Sequence, residues 1–166
     1  MKTIKKDATE TAPNFTLADI NGQSVKLSYY QNRKYVVLVF NRGFMWPYCR
    51  RHLAQLRQDY KLFTDHNAEI LVVGPEDKKE FAKYWEKEKL LFVGLPDPTL
   101  KVSNLYGQEV KLLKFGRMPA MLIIDRQGQI RYRHYANSMR DIPDNSEILN
   151  LLDNLKLEEA EMEKAR

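Results

Sequence analysis

Cysteine is almost absent from this chain of 166 residues, and its single copy is Cys49. One cysteine cannot form a disulfide within the chain, which excludes a two-cysteine redox cycle inside one molecule and suits a reducing compartment. The three histidines, His52, His66 and His134, lie far apart in the sequence and lack the clustered spacings of zinc sites. We therefore expect no metal site and no bound cofactor.

Long apolar runs are also missing, since no stretch approaches the roughly 18 residues that span a bilayer. The first 15 residues are basic but lack the apolar core of a secretory signal. The formal charge is +5, yet the basic residues are scattered among 22 acidic ones and form no basic helix interleaved with aromatic residues. These absences predict a soluble cytoplasmic protein that binds neither membranes nor nucleic acid.

Nothing in the sequence divides the chain into parts. It contains no internal repeat, no low-complexity segment and no linker rich in glycine, serine or proline. The length suits one compact domain, and the hydrophobic fraction of 43% and charged fraction of 30% are close to globular averages. We predict a single domain over residues 1–166.

The first half of the chain alternates strand and helix patterns. An opening hairpin is predicted over residues 15–30, around the turn dipeptide Asn21-Gly22. Two runs, residues 34–41 (KYVVLVFN) and 68–75 (AEILVVGP), are typical of strands buried on both faces, and an amphipathic helix follows each. This order predicts a parallel βαβ unit with a right-handed crossover.

The second half predicts a short strand in residues 91–98, a short helix ended by Gly107, and a late hairpin that turns at residues 126–128. The last element is an amphipathic helix from about Ser146 to Leu157. The charged residues after it are expected to fray. Together the elements predict an α/β domain with a mixed sheet.

Cys49 lies in the segment RGFMWPYCRRHL, residues 42–53, where Pro47 suits the first position of a helix. A thiol in the first helical turn faces unpaired N–H groups and the positive end of the helix dipole, which favour the nucleophilic thiolate. The alternative is structural, because Cys49 shares a helical face with Leu53 and Leu56, and free cysteine is often buried. Burial would raise the thiol pKa and silence it, so both interpretations stay open.

Five segments in the same order resemble the alkyl hydroperoxide reductase C / thiol-specific antioxidant (AhpC/TSA, peroxiredoxin-like) family. They are APNFTLADINGQSVKLSYY, VVLVFNRGFMWPYCRRHLAQL, VGPEDKKEFAKYWEKEKL, LPDPTLKVSNLYG and MPAMLIIDRQGQIRYRH. The resemblance covers about residues 8–156, the expected core of the domain. It implies a thioredoxin-like fold with a central mixed β-sheet flanked by helices and an N-terminal β-hairpin.

The same resemblance implies a one-cysteine peroxidase. Cys49 would reduce a hydroperoxide and become a sulfenic acid, which an external thiol of the thioredoxin, glutaredoxin or glutathione class would then reduce. Two positions depart from the family pattern. Trp46 stands where many relatives have a second cysteine and typical peroxiredoxins have threonine, and Pro119 stands where peroxiredoxins place an arginine. Arg117 and Arg42 are the nearest substitutes for that arginine.

We therefore expect Cys49 to be catalytic and Trp46, Arg42, Arg117 and Pro119 to bind substrate. Pro119, if cis as in the thioredoxin fold, would lie opposite the cysteine. The resemblance also leaves open a homodimer, since family members often pair through sheet edges or loop faces.

Three further hypotheses concern the same segment. His52, one helical turn beyond Cys49, could act as a base. The chain could instead be a catalytically lapsed binding module, in which Trp46, Tyr48 and the Pro119 loop form a recognition surface. It could also be a single-cysteine disulfide-exchange or redox-sensing protein.

Overall fold

A computed structural model describes residues 10–108, 110–111 and 116–166. The strands within these residues are β1 (Glu10–Thr11), β2 (Thr16–Ala18), β3 (Ser24–Lys26), β4 (Tyr35–Phe40), β5 (Ala68–Gly74), β6 (Val93–Pro96), β7 (Val110–Lys111), β8 (Gly116–Arg117), β9 (Ala120–Ile124) and β10 (Gln129–Tyr135). The helices are α1 (Pro47–Asp65), α2 (Lys78–Glu88), α3 (Lys101–Leu105) and α4 (Asn145–Lys164). The basic leader and the predicted core boundary at residue 8 lie outside the described residues.

The central sheet is mixed, as predicted, and has the strand order β1-β10-β9-β4-β5-β6. Strands β4, β5 and β6 are parallel, while β9 runs antiparallel to β4 and β10 antiparallel to β9. All six residues of β4 are buried, because β4 pairs on both edges and is covered on both faces. This confirms the prediction that residues 34–41 are central to the sheet.

Two hydrophobic clusters cover the faces of this sheet. One contains side chains from α1, α2 and α4, such as Leu56, Trp85 and Leu152. The other contains side chains from the loop between β1 and β2 and from α3, such as Phe15 and Val102. None of the helices in the described residues is long and apolar enough to cross a membrane.

Both predicted hairpins are present. Strands β2 and β3 pair around a turn in which Asp19 Oδ1 accepts the backbone N–H of Gln23, and Gly22 has φ +79°. In the late hairpin, Asp125 Oδ1 accepts the N–H groups of Gln127 and Gln129 at 3.0 and 2.9 Å. A carboxylate at the strand end thus organises the turn between β9 and β10.

The end of the last helix was predicted wrongly. Helix α4 continues past Leu157 to Lys164 instead of fraying. Its later turns have partners on the sheet, since Glu158 pairs with Arg131 and Glu159 accepts the hydroxyl hydrogen bond of Tyr35. Tertiary contacts therefore stabilise a segment whose own sequence carries few apolar residues.

Candidate active site

Cys49 lies just beyond the carboxyl end of the central strand. Strand β4 ends at Phe40, and α1 begins at Pro47, with Trp46 as its N-terminal cap residue. Cys49 is therefore the third residue of α1, in the first turn, as the sequence predicts. Proline suits this start because the first helical N–H has no partner within the helix.

The sulfur is buried, but polar groups surround it. Cys49 is only 3% exposed, and this burial raises the pKa of its thiol. Hydrogen bonds from the backbone N–H groups of Arg42 and Gly43 lower the pKa, as does the positive charge of Arg42, while the negative charge of Glu76 raises it. The site thus has both the burial expected if Cys49 is structural and the hydrogen-bond donors expected if Cys49 is catalytic.

Arg42 and Trp46 form a stacked pair beside the sulfur. The guanidinium carbon of Arg42 lies 3.6 Å from the centroid of the Trp46 ring, and Arg42 is 5% exposed. A cation over an aromatic face is attracted by the ring quadrupole, more strongly when water is excluded. Burial lowers the pKa of Arg42, and its attraction to Cys49 acts in the opposite direction. Stacking on Trp46 therefore fixes the position of the Arg42 guanidinium, whose positive charge acts on Cys49.

The loop before α1 has a conformation that requires glycine. Gly43 has φ +149°, and a Cβ there would lie 3.1 Å from Glu76 Oε1 and 3.3 Å from Trp46 Cδ1. The Gly43 N–H also donates to Asn41 Oδ1 at 2.6 Å, and the Phe44 N–H donates to Glu76 Oε1 at 2.6 Å. These contacts orient the backbone donors that face Cys49.

Glu76 was not predicted as a site residue. Burial raises the pKa of its carboxyl, and its Oε2 is buried without a hydrogen-bond partner in the described residues. It follows β5, whose carboxyl end lies beside that of β4 because the two strands are parallel. Its position just after β5, at the carboxyl ends of the parallel strands, is the sequence signal that could have identified Glu76 as a site residue.

A small cavity of about 10 Å³ lies next to Cys49, which is the space of about one water molecule. Its polar and proline lining residues are Asn41, Cys49, His52, Pro119, His134, Asp141 and Pro143. The sequence did not single out His134 or Asp141, which come from β10 and the loop after it. His134 Nε2 lies 2.9 Å from Asp141 Oδ1, so this pair closes one side of the cavity.

His52 lies in the same cavity wall and is 5% exposed. Burial lowers its pKa to about 4, so the imidazole is neutral at neutral pH. Its Nε2 has no hydrogen-bond partner in the part of the chain that the structure describes.

Pro119 and Arg117 have different positions relative to Cys49. Pro119 is buried and lines the cavity, and its carbonyl accepts the N–H of Ala136 at 3.0 Å. The cis geometry considered for Pro119 does not occur, because none of the described peptide bonds is cis. Arg117 lies on β8 and donates to Gln108 Oε1 at 3.4 Å. It is neither a cavity residue nor one of the charges that shift the Cys49 pKa.

The described residues contain no group of three or more histidine, cysteine, aspartate or glutamate side chains that could hold a metal ion.

The sequence profile of the AhpC/TSA family matches residues 8–133. The chain belongs to the AhpC/TSA family. Peroxiredoxin Q, chloroplastic, from Oryza sativa subsp. japonica is 31% identical over 146 residues, which cover 87% of this chain and 65% of the relative. Peroxiredoxin Bcp from Bacillus subtilis (strain 168) is 28% identical over 151 residues, covering 83% of this chain and 96% of the relative. The chain thus spans about 65% of the length of the rice relative.

Solved structures confirm the thioredoxin-like fold of this AhpC/TSA protein. The reduced 2-Cys peroxiredoxin of Plasmodium vivax superposes with a TM-score of 0.81 at 20% identity, covering 92% of this chain and 83% of that one. Peroxidoxin BcpB from Mycobacterium tuberculosis gives a TM-score of 0.77 at 22% identity, covering 88% and 96%. The opening hairpin, the central mixed sheet and the flanking helices all agree with the predicted fold class.

Within this AhpC/TSA domain the structure brings Cys49, Arg42, Trp46 and Pro119 together, while Arg117 lies outside the Cys49 cavity. The arrangement can hold a thiolate and a developing negative charge on an oxygen, because backbone N–H groups and a buried guanidinium converge on one sulfur. The catalytic and substrate-binding roles of these residues stay predictions.

Proposed function

We propose that this protein reduces hydroperoxides through Cys49 in a one-cysteine cycle, with an external thiol as the reductant. The observation that carries the proposal is the set of groups around the sulfur: the N–H groups of Arg42 and Gly43 and the Arg42 guanidinium. The peroxiredoxin names of the relatives support it as well.

The proposed reaction begins with the thiolate of Cys49. It attacks one oxygen of the hydroperoxide, so that an S–O bond forms, the O–O bond breaks, and the leaving alkoxide takes a proton to become an alcohol or water. The sulfur, oxidised by two electrons, is then a sulfenic acid. An external thiol displaces water to give a mixed disulfide, and a second thiol releases Cys49.

Arg42 has the main electrostatic role in this proposal. Its guanidinium, stacked on Trp46, takes the place of the arginine that peroxiredoxins supply from the late hairpin. In a site from which water is excluded, a fixed positive charge stabilises the thiolate and the negative charge that develops on the leaving oxygen. Trp46 would set the position of this charge, and Pro119 would form the opposite wall.

The pH dependence follows from the direction of the thiol pKa. Burial is the largest influence on Cys49 and raises its pKa, so the thiol form dominates below that pKa. Only the thiolate attacks peroxide. We therefore expect the peroxide rate constant to rise as pH increases through the Cys49 pKa and then to level off.

One observation favours a second candidate, the catalytically lapsed binding module. Cys49 is 3% exposed, whereas Met45, in the loop just before α1, is 76% exposed. Tyr48 lies near the exposed Arg140, whose guanidinium carbon is 5.6 Å from the ring centroid. Pro119, expected in this recognition surface, is buried. In this candidate the exposed Met45 would join Trp46 and Tyr48 in binding a partner, while the sulfur stays unreactive.

Peroxide turnover and thiol alkylation separate these candidates. Wild type and Cys49→Ser should be assayed with hydrogen peroxide and tert-butyl hydroperoxide, using thioredoxin, glutaredoxin or glutathione as the reductant, and Cys49 should be alkylated with iodoacetamide across a pH series. The proposal expects turnover in wild type only. If wild type is inactive with every reductant and resists alkylation to about pH 9, the binding module is the better description. Rapid mixed-disulfide formation with slow peroxide consumption would instead support disulfide exchange.

The reductant class, a homodimer and a cytoplasmic location remain predictions. The three reductants in this assay test the first, and sedimentation of the full chain tests the second.

A further inference from the structure

The cavity beside Cys49 contains a polar atom that the proposed peroxide step does not use. His52 is on the same helix as Cys49, three residues further on, a spacing that places two side chains next to each other on a helix surface. Both line the cavity of about 10 Å³. Buried polar atoms in native proteins nearly always have a hydrogen-bond partner, yet His52 Nε2 has none within the described residues.

The other polar side chains of the cavity have partners. Asn41 Oδ1 accepts the Gly43 N–H, and His134 Nε2 pairs with Asp141 Oδ1. Among the cavity residues that the structure describes, His52 alone has a buried nitrogen without a hydrogen bond. A neutral imidazole has one nitrogen that accepts a hydrogen bond and one that donates. The cavity therefore has an open hydrogen-bonding position beside the sulfur.

The size of the cavity limits what could occupy that position. A space for about one water molecule also suits one oxygen atom added to Cys49. A second hydroperoxide molecule, with two bonded oxygens, is larger than this space. One oxygen carried by the sulfur thus fits the cavity.

We propose that His52 is a positioning residue for the oxidised form of Cys49, with Nε2 accepting a hydrogen bond from the S–O–H group in the cavity. The inference rests on the proposed function, since it requires that peroxide oxidises Cys49. A hydrogen bond to Nε2 keeps the sulfenic acid protonated, and so less nucleophilic than the sulfenate. It thereby slows the next oxidation, in which the sulfur attacks a second hydroperoxide, gains a second oxygen and releases an alcohol or water.

The test measures over-oxidation in the full chain. Wild type, His52→Leu and His52→Gln are first treated with one equivalent of hydrogen peroxide and dimedone, and the adduct is measured by mass spectrometry. A wild-type protein that forms no adduct lacks the sulfenic acid, which refutes the proposed function and the inference with it. Where the adduct forms, increasing peroxide without reductant gives the concentration at which half of Cys49 is sulfinic acid.

We expect His52→Leu to reach half-conversion at about tenfold lower peroxide, the effect of losing one buried hydrogen bond. His52→Gln, whose amide also extends a hydrogen-bonding group toward the cavity, should stay within about twofold of wild type. Coincident curves for all three proteins refute the inference while leaving the proposed function intact. A glutamine variant as sensitive as the leucine variant also refutes it, because that result indicates a packing role.

A measurement on unsubstituted protein keeps the inference falsifiable if His52→Leu does not fold. In isotope-labelled wild type, the imidazole nitrogen resonance of His52 should shift when one equivalent of peroxide forms the sulfenic acid. His52→Gln, which lacks the resonance, assigns it. A resonance that stays in place while the dimedone adduct forms contradicts the proposal.

Discussion

The stacking of Arg42 on Trp46 predicts a measurable coupling between the two side chains. Their separation of 3.6 Å is well within the range of cation–π attraction, and Arg42 is 5% exposed, so little water screens the charge. Such pairs contribute about 0.5 to 1 kcal/mol at exposed sites and about 2 kcal/mol when desolvated. We expect a coupling energy of about 2 kcal/mol between these residues.

A double-mutant cycle measures this quantity. Trp46→Leu, Arg42→Met and the double variant are unfolded in urea, and unfolding is followed by far-ultraviolet circular dichroism because the substitution removes a fluorophore. The cycle cancels the separate effects of each substitution, including the other interactions of Arg42, and leaves the pairwise energy.

The chain offers a matched control for this cycle. Arg140 faces Tyr48 at 5.6 Å, and Arg140 is exposed, so the corresponding cycle there should give about 0.5 kcal/mol. An Arg42–Trp46 coupling no larger than the Arg140–Tyr48 coupling would refute the argument that Trp46 holds the buried charge. It would also remove the structural reason for placing Trp46 in the site.

Two further predictions concern Glu76 and the end of α4. Glu76→Gln removes a negative charge that raises the Cys49 pKa, and it keeps an oxygen that can accept the Phe44 N–H. The pH curve for alkylation of Cys49 by iodoacetamide should therefore move to lower pH. An unchanged curve would contradict this prediction. Deletion of residues 158–166 removes the contacts with Arg131 and Tyr35 and should lower the urea unfolding free energy by about 1 to 2 kcal/mol, whereas unaltered stability would show that these turns contribute nothing.

The elements around the site follow from local sequence. The run of β-branched and aromatic residues in β4 has no polar alternation, which only a strand covered on both faces tolerates, and the structure buries all of it. Pro47 indicates the start of α1 because its missing N–H costs nothing there. Both patterns arise from residues that are close together in the sequence. The sequence alone therefore places Cys49 in the first turn of a helix after the central strand.

The end of α4 could not be predicted in the same way. Its last turns are stabilised by Arg131 and Tyr35, which come from other parts of the chain. The amino-acid composition at a helix end gives no information about such partners. A charged helix end is therefore predicted to fray when only its own sequence is used.

The sequence by itself determined the family, the order of strands and helices and the helical position of Cys49, since each depends on a motif or on periodicity along the chain. Only the tertiary structure decided the environment of the sulfur. Its burial, the Arg42 charge held on Trp46, Glu76 at the end of β5 and the cavity shared with His52 depend on segments that meet only in the folded chain. The physical reason is that desolvation and charge act through space. The pKa and the solvent accessibility of a thiol therefore depend on three-dimensional neighbours that sequence spacing does not specify.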